Sequence, residues 1–430
     1  MNEYTNAVPP ITVGSGSGTG TWLVGGGTTS GSELGLADSP FLHALRGVVS
    51  ATQDERPRIA VFSPGTAEAV RHHYYDYDGY SLEQEYADYG FEAVFIPLAI
   101  DNYKEYADSS YWANQVRSCQ AVFLQGGDQA RHARQLLNDD GTLSKLAQAI
   151  RDVYEAGGVV AGTSAGAHVQ SSPVFGFGDS YPAMVYNQAE TIQTPAELLV
   201  DDIHTPKLPG NNMIIPGLGF AREGFIYDTH FDARGRLGRL LVGLRDTGAR
   251  AGIGLDEGTG LLIRGSTGTV VGHNGVFVIE SEGASYGPRG SGETFRAEGV
   301  RISYLTSGDQ IDLDTFAITP AEHKLPVVTR ADQESFDSMD LFSRGELKYQ
   351  TTAVILSLMH SAADSVQAGV HKHGISYGPD YVVTFRKDAQ TLGFESGEGY
   401  TTGNHQAVTA LRGFKKTTVV RMLVDVAAFR

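Results

Sequence analysis

Short apolar segments that run into glycine-rich turns recur along the first half of the chain, and stretches with helical periodicity separate them. The clearest apolar segments are residues 58–62 (RIAVF), 120–124 (QAVFL) and 157–161 (GGVVA). Such continuous apolar runs are typical of strands buried on both faces, and strands that alternate with helices form parallel sheets. The pattern predicts an α/β fold built on a doubly wound, mostly parallel sheet. In such sheets, ligands bind beyond the carboxyl ends of the strands.

This alternation divides the chain into three predicted parts. The predicted helices are residues 41–49, 66–89, 128–137, 143–155 and 235–244, and further predicted strands are residues 22–24, 91–98, 225–230, 251–256, 260–264, 270–279, 300–305 and 311–313. Residues 171–215 are rich in Pro, Gly and Asn and are predicted to form loops. We predict a flexible Gly/Ser-rich lead-in over residues 1–21, an α/β domain over residues 22–318, and a small α+β C-terminal extension over residues 319–430, with a helix at 352–365.

The charge and the cysteine count exclude several functional classes. Asp and Glu outnumber Lys and Arg by 50 to 33, which gives a formal net charge of −17. This acidic excess argues against a non-specific nucleic-acid binder, which needs a basic face, and against anionic membrane surfaces. Cys119 is the single cysteine, so an intramolecular disulfide and a CxxC metal site are excluded. The close histidine pairs, His72 with His73 and His371 with His373, lack a recognisable ligand set, and we expect neither a metal nor another cofactor.

The sequence also carries an expectation about location. The first residues combine no basic segment with an apolar one, so no signal peptide is expected. No stretch approaches the roughly 20 apolar residues of a membrane span. We therefore expect a cytoplasmic protein.

Residues 162–166 (GTSAG) fit the G-x-S-x-G pattern of a nucleophile elbow, since they follow an apolar strand and precede a predicted helix. Small flanking residues permit a sharp turn that lifts the Ser164 hydroxyl above the sheet. The amide of Ala165 and the helix N-terminus could then stabilise an oxyanion. The alternative is a tight strand–helix turn in which Ser164 only caps the helix.

A nucleophilic serine needs a base, and the base needs an orienting carboxylate. His230 ends an apolar strand (FIYDTH) and is expected at the same edge of the sheet; the alternative is a strand-end histidine satisfied by backbone. Glu257 follows the next strand and is the expected carboxylate, unless it is only a turn acid. The order Ser, His, Glu differs from the Ser, Asp/Glu, His order of α/β-hydrolases, which argues against a lipase or esterase.

Three arginines follow the candidate base closely. Arg234, Arg236 and Arg239 lie within six residues, and guanidinium groups match carboxylates in shape and charge. They predict either a clamp for a carboxylate of the substrate or a solvated helix face with local ion pairs.

Five motifs in this order resemble the S51 serine peptidase family, and within it the cyanophycin-degrading members. They are residues 122–131 (VFLQGGDQAR), 162–167 (GTSAGA), 216–220 (PGLGF), 227–241 (YDTHFDARGRLGRLL) and 252–262 (GIGLDEGTGLL). The resemblance covers about residues 50–318. It implies a fold like the class I glutamine amidotransferases, which is flavodoxin-like, and a dimer of identical chains. It also implies a serine-peptidase triad of Ser164, His230 and Glu257, with an oxyanion hole formed by the amides of Gly127 and Ala165. The implied substrate-binding residues are Gln129, Asp228, Thr229, Arg234, Arg236 and Arg239.

The resemblance implies a peptide-like substrate, either cyanophycin, an arginyl-polyaspartate that such enzymes cleave to β-aspartyl-arginine, or an aspartyl peptide. Some residues differ from the family pattern. Residues 25–30 (GGGTTS) lack an acid and a lysine usual in that turn, Thr229 stands where glutamine is usual, and His168 and Gln170 stand where small or apolar residues are usual. These differences favour, as a second hypothesis, an aspartyl or isoaspartyl dipeptidase or another β-aspartyl amide hydrolase. A non-catalytic binding protein on the same fold is the third.

Overall fold

The computed structural model describes residues 20–28, 39–49, 56–65, 82–198, 212–290, 292–344, 347–370, 372, 377–400, 411 and 413–429. The predicted lead-in, apart from Gly20 and Thr21, lies outside these residues. So do the first part of the predicted helix 66–89 and both histidine pairs.

The helices and strands have the following bounds. The helices are α1 (Pro40–Val48), α2 (Leu82–Asp88), α3 (Tyr103–Tyr106), α4 (Ser110–Arg117), α5 (Gln129–Leu136), α6 (Lys145–Glu155), α7 (Ala165–His168), α8 (Ser180–Tyr186), α9 (Leu237–Thr247) and α10 (Gln350–His360), with 3-10 turns at Pro195–Glu197 and Asp232–Arg234. The strands are β1 (Thr21–Gly25), β2 (Arg58–Phe62), β3 (Glu92–Ile96), β4 (Ala121–Leu124), β5 (Val159–Thr163), β6 (Val174–Phe177), β7 (Ala189–Thr191), β8 (Asn212–Ile215), β9 (Phe225–Thr229), β10 (Ala251–Leu255), β11 (Thr259–Arg264), β12 (Thr267–Gly272), β13 (Gly275–Glu280), β14 (Ser285–Tyr286), β15 (Ala297–Thr306), β16 (Gln310–Asp312), β17 (Ile318–Thr319), β18 (Leu325–Pro326), β19 (Ser365–Val370), β20 (Asp380–Arg386), β21 (Leu392–Gly399) and β22 (Lys415–Phe429).

The first sheet has the strand order β17-β16-β12-β11-β1-β5-β4-β2-β3 in the described part of the chain. The strands β1, β5, β4, β2 and β3 pair in parallel, whereas β11, β12, β16 and β17 add antiparallel pairs. Side chains alternate between the two faces of a strand. Leu23 thus packs toward α1 and α2, while Trp22 packs in the core that contains α4, α5 and α6. Helices therefore cover both faces of the parallel half, as the α/β pattern predicts.

The second sheet has the order β18-β21-β22-β15-β13-β10-β9, with β14 added at β15 and β20 and β19 added at β22. Only the β9–β10 pair is parallel among its described pairings. Tyr227 and Val278 pack in the core shared with the first sheet, and Ile226 and Phe277 pack in the core that contains α9 and α10. Both faces of the sheet are therefore apolar where β9 and β10 lie.

The helix and strands that the structure describes after β17 belong to this second sheet and its core. The long strand β22 pairs with β15, and α10 is buried along its whole length among the residues of the second core. The boundary expected at residue 318 therefore does not separate two hydrophobic cores.

Two sequence predictions of local structure are wrong. Residues 171–215, predicted to be loop, contain α8 and the short sheet β6-β8-β7. The run 270–279, predicted as one strand, is split at Gly272, whose φ of +115° turns the chain, so that β12 joins the first sheet and β13 the second. The described architecture is thus α/β with two large mixed sheets and one short sheet, rather than one mostly parallel sheet.

Among the described residues, no helix is both long enough and apolar enough to cross a membrane.

Candidate active site

The turn after β5 holds Ser164 in a conformation that requires its small neighbours. Ser164 has φ 52° and ψ −121°, which is rare for a residue with a side chain. A Cβ added to Gly162 would lie 2.4 Å from the carbonyl oxygen of Gly166, and one added to Gly166 would lie 2.1 Å from that of Leu124. The Ser164 amide donates to the Gly25 carbonyl at 3.0 Å, which ties the turn to the end of β1.

His230 lies at the end of β9, in the second sheet, and meets the end of β1 from the first sheet. Its amide donates to the Gly26 carbonyl at 2.7 Å. Gly27 lies against the imidazole ring, since a Cβ added there would be 2.1 Å from His230 Cε1. The glycine turn after β1 therefore makes room for the histidine beside Ser164.

A chain of hydrogen bonds joins the three predicted catalytic residues. Ser164 Oγ lies 2.8 Å from His230 Nε2, and Glu257 Oε1 lies 2.9 Å from His230 Nδ1. A carboxylate can only accept, so Nδ1 carries the proton and Nε2 is left to accept from the serine hydroxyl. Glu257 follows β10, the parallel neighbour of β9, which explains why the two side chains emerge together.

Burial and neighbouring charges set the charge states of His230 and Glu257. The pKa of His230 is lowered to about 4, chiefly because burial disfavours the imidazolium; Arg234 and Arg236 lower it further, and Glu257 opposes them. Burial would raise the pKa of Glu257, but His230 and Lys348 hold it well below its usual range. At neutral pH the site therefore combines a neutral imidazole with an ionised carboxylate, which are the states that a general base and its orienting partner need.

Two backbone amides border the serine. Gly126 lies against Ser164, because a Cβ added there would be 3.4 Å from Ser164 Cβ. Gly127 has φ +126°, and a Cβ there would be 2.5 Å from the Gly65 carbonyl oxygen, so the loop after β4 excludes side chains. Within the described residues, the amides of Gly127 and Ala165 donate to no other group. Both are therefore free to donate to a ligand.

The carboxylate of Asp228 lies beneath the histidine, fully buried. Arg239 donates to it from Nε at 2.7 Å and from Nη2 at 2.5 Å, Arg236 donates from Nη1 at 3.2 Å, and His168 Nε2 lies 3.0 Å away. Burial would raise the pKa of Asp228, but Arg239 and Arg236 hold it far below its usual range. Asp228 and Arg239, expected to bind substrate, are therefore engaged with each other inside the protein, and Arg236 is mostly buried beside them.

The other three expected binding residues differ in access. Gln129 is half-buried, and its Nε2 donates to the carbonyls of Phe175 and Gly176 at 2.8 Å. Thr229 is buried, and its hydroxyl has no hydrogen-bond partner among the described residues. Arg234 is exposed and forms no ion pair with any described residue. Arg234 is thus the predicted arginine that is best placed to meet a ligand from solvent.

Sequence comparisons identify proteins similar to the segment that contains this site. A sequence model of peptidase family S51 matches residues 90–271, a range that contains all three residues of the hydrogen-bonded chain. This range is less than half of the chain, and over it the chain is similar to peptidase family S51. A cyanophycinase from Trichormus variabilis is 29% identical over 228 residues, which cover 52% of this chain and 66% of that protein. One from Geminocystis herdmanii is 30% identical over 205 residues, 46% of this chain and 65% of that protein. These matches span just under two thirds of each relative.

Among solved structures, a peptidase from an acI-B1 Actinobacterium has a TM-score of 0.45 and 19% identity to this chain, over 68% of this chain and 97% of the other. A TM-score this low does not by itself establish a shared fold.

Two residues at the candidate site were not predicted from the sequence. Lys348 Nζ donates to Glu257 Oε2 at 2.8 Å, and Tyr349 Oη lies 3.4 Å from the same oxygen. Both precede α10, about 90 residues after Glu257 in the chain. No local motif marks them, because their position follows from long-range packing. Among the described residues, no group of three or more His, Cys, Asp or Glu side chains could hold a metal ion.

Proposed function

We propose that this chain is a serine peptidase that hydrolyses cyanophycin to β-aspartyl-arginine dipeptides through an acyl-enzyme. The observation that carries the proposal is the hydrogen-bonded chain from Ser164 through His230 to Glu257. The S51 family match and the similarity to cyanophycinases support the proposal. The turn at Ser164 would then act as a nucleophile elbow, on a fold related to class I glutamine amidotransferases.

The proposed reaction has two steps. Ser164 Oγ attacks the scissile carbonyl carbon, and its proton passes to His230 Nε2. The oxyanion accepts hydrogen bonds from the amides of Gly127 and Ala165, and the peptide C–N bond breaks as His230 returns the proton to the leaving amine. Water, deprotonated by His230, then cleaves the ester and restores the serine. Glu257 stays ionised and stabilises the imidazolium that forms in both steps.

Substrate recognition in this proposal falls to exposed groups rather than to the buried arginines. The exposed guanidinium of Arg234, in the 3-10 turn that follows His230, would bind a carboxylate of the substrate. The buried pair Asp228–Arg239 would instead fix β9 to α9 next to the candidate triad. Of the three arginines predicted to bind substrate, this proposal assigns that role to Arg234 alone.

The test is to incubate the purified protein with cyanophycin and to measure β-aspartyl-arginine by mass spectrometry. We expect release by the natural chain and a loss of about 10⁴-fold or more in Ser164→Ala, since the nucleophile is removed. A parallel panel of α- and β-aspartyl dipeptides separates the dipeptidase alternative. Cleavage of the dipeptides without release from the polymer would overturn the cyanophycin assignment, and equal activity in Ser164→Ala would overturn the triad.

A further inference from the structure

The segment before α10, which includes Lys348 and Tyr349, contacts Glu257 on the side that faces away from His230. Glu257 has two carboxylate oxygens; Oε1 faces His230, and Oε2 accepts from Lys348 Nζ at 2.8 Å. In the described part of the chain, Oε2 has one other hydrogen-bond partner, the Tyr349 hydroxyl at 3.4 Å, which is long for a hydrogen bond. The side chains of Lys348 and Glu257 are 13% and 14% exposed, so water screens this pair only weakly.

The same segment is fixed to the loop that carries the histidine. The buried carboxylate of Asp232, two residues after His230, accepts from the amides of Thr351 at 3.2 Å and Thr352 at 2.7 Å, and from the Thr352 hydroxyl at 2.7 Å. These amides belong to the first turn of α10, whose own N-cap residue supplies no side-chain hydrogen bond. An acid from the active-site loop therefore caps a helix of the C-terminal region.

A close packing contact supports this attachment. Gly235 ends the 3-10 turn after His230, and a Cβ added there would lie 2.3 Å from the Cα of Phe342. The loop after His230 thus contacts Phe342 on one side of Lys348 and Thr352 on the other. These contacts fix the backbone on both sides of Lys348, so its position relative to Glu257 is not that of a freely moving surface side chain.

We propose that Lys348 is a positioning residue of the active site: its ammonium group holds the Glu257 carboxylate ionised and directed at His230. The proposal deepens the proposed function and rests on it, and it makes residues after 318 part of the catalytic apparatus. Without the lysine, the distant Tyr349 hydroxyl would be the one partner left to Oε2 among the described residues, and the carboxylate could rotate away from the imidazole. A displacement of about 1 Å at a reacting group costs about a hundredfold in rate.

Other titratable groups also face this pair. They are Arg234 and Arg236 near His230, and Asp232, Asp256 and Tyr349 near Glu257. Asp256 and Asp232 are buried together, and burial raises the pKa of each, so this pair supplies less than two negative charges. Among these groups, Lys348 is the cation in direct contact with Glu257, and its removal takes one positive charge away from the histidine. A lost cation raises the pKa of a nearby imidazole.

The experiment compares Lys348→Met with Lys348→Arg and with the matched control Lys372→Met. Lys372 pairs with the exposed Asp380 at 3.3 Å in the same C-terminal region but lies outside the site. Release of β-aspartyl-arginine gives kcat and KM, and NMR of histidine-labelled protein gives the pKa of His230, which can be read even if cyanophycin is not the substrate. Ser164→Ala serves as the inactive reference.

For Lys348→Met we expect kcat to fall about ten- to a hundredfold with KM little changed, and the pKa of His230 to rise. Lys348→Arg should restore most of kcat, and Lys372→Met should match the natural chain in both readouts. An unchanged kcat with an unchanged His230 pKa in Lys348→Met would overturn the inference. Absence of peptidase activity in the natural chain would overturn the proposed function alone, because the NMR arm would still report whether Lys348 acts on the histidine.

Discussion

At the scale of single residues, Asp228 balances the charge beneath the candidate site. It has no exposed surface, and two guanidinium groups, those of Arg239 and Arg236, donate to it. Removing one partner of a buried ion pair leaves an uncompensated charge, which costs about 3–5 kcal/mol. We therefore expect Asp228→Asn to lower the free energy of unfolding by about that amount. Urea denaturation followed by circular dichroism measures it.

The control for Asp228 is an ion pair of the same chemistry at the surface. Asp139 pairs with Arg134 at 2.7 Å, but its side chain is 74% exposed. Exposed pairs contribute less than about 1 kcal/mol, so Asp139→Asn should change the unfolding midpoint little. Equal effects of the two substitutions would contradict a structural role for Asp228 and would restore it as a residue that faces the substrate.

The lowered pKa of His230 predicts the pH below which activity is lost. Its pKa falls from the ordinary 6.5 to about 4, mainly through burial, and only the neutral imidazole can accept the serine proton. The base is therefore present at pH 5.5 and is lost as the pH falls through about 4. We expect the rate at which a fluorophosphonate probe labels Ser164 to stay level from pH 7.5 to about 5.5 and to drop below that. A rate already halved near pH 6.5 would contradict this environment of the histidine.

At the scale of elements, the glycine turn after β1 is a structural requirement of the site. A Cβ at Gly27 would lie 2.1 Å from His230 Cε1, in a backbone with φ +102°. The substitution Gly27→Ala must therefore push the imidazole away from Ser164. We expect probe labelling of Ser164 to slow by about a hundredfold.

A second glycine separates this contact from backbone strain. Gly157 has a similar φ of +92°, but nothing lies within 4 Å of an added Cβ. Gly157→Ala should cost about 1–2 kcal/mol in unfolding free energy, as a left-handed alanine does, while labelling stays at the natural rate. If both variants label equally slowly, strain rather than contact with His230 is the cause.

The elements that the sequence predicted well are those with local signals. The strand β5 and the turn at Ser164 follow from an apolar run and two glycines, and α1 follows from Ser39 and Pro40, which cap and start it. The helix α8 was missed because its seven residues carry little periodicity of their own. It exists because it packs on α9, where Gly238 is so close that a Cβ would lie 2.6 Å from Met184 Sδ.

At the candidate site, too, the sequence predicted the residues that have local signals and missed those that depend on long-range packing. Ser164, His230 and Glu257 each follow an apolar strand, so strand ends and motif order were enough to select them. Burial of Asp228 with Arg239 could not be foreseen, because the spacing of arginines is the same in a solvated helix face and in a buried cluster. Lys348 and Tyr349 could not be foreseen either, since they reach Glu257 through the packing of α10 on the second sheet.

At the scale of the whole molecule, the candidate site depends on three separate parts of the chain. Ser164 comes from the first sheet, His230 and Glu257 come from the parallel pair in the second sheet, and Lys348 comes from the region after residue 318. Residues of α9, β13 and β15 share one core with residues of α10, β20 and β22. A change that destabilises the C-terminal region should therefore also disturb the alignment of Ser164, His230 and Glu257.

A chain that ends at residue 318 tests this coupling. It would lack α10 and β22, so β15 would become an unpaired edge of ten residues, and Ile302 and Tyr304, now at most 1% exposed, would lose their covering. We expect residues 1–318 to bind the dye ANS and to unfold without a cooperative transition in urea, and Ser164 not to react with a fluorophosphonate probe. The full chain, measured in parallel, should unfold cooperatively and react. Cooperative unfolding of the shortened chain with natural labelling of Ser164 would contradict the coupling and establish residue 318 as a domain boundary.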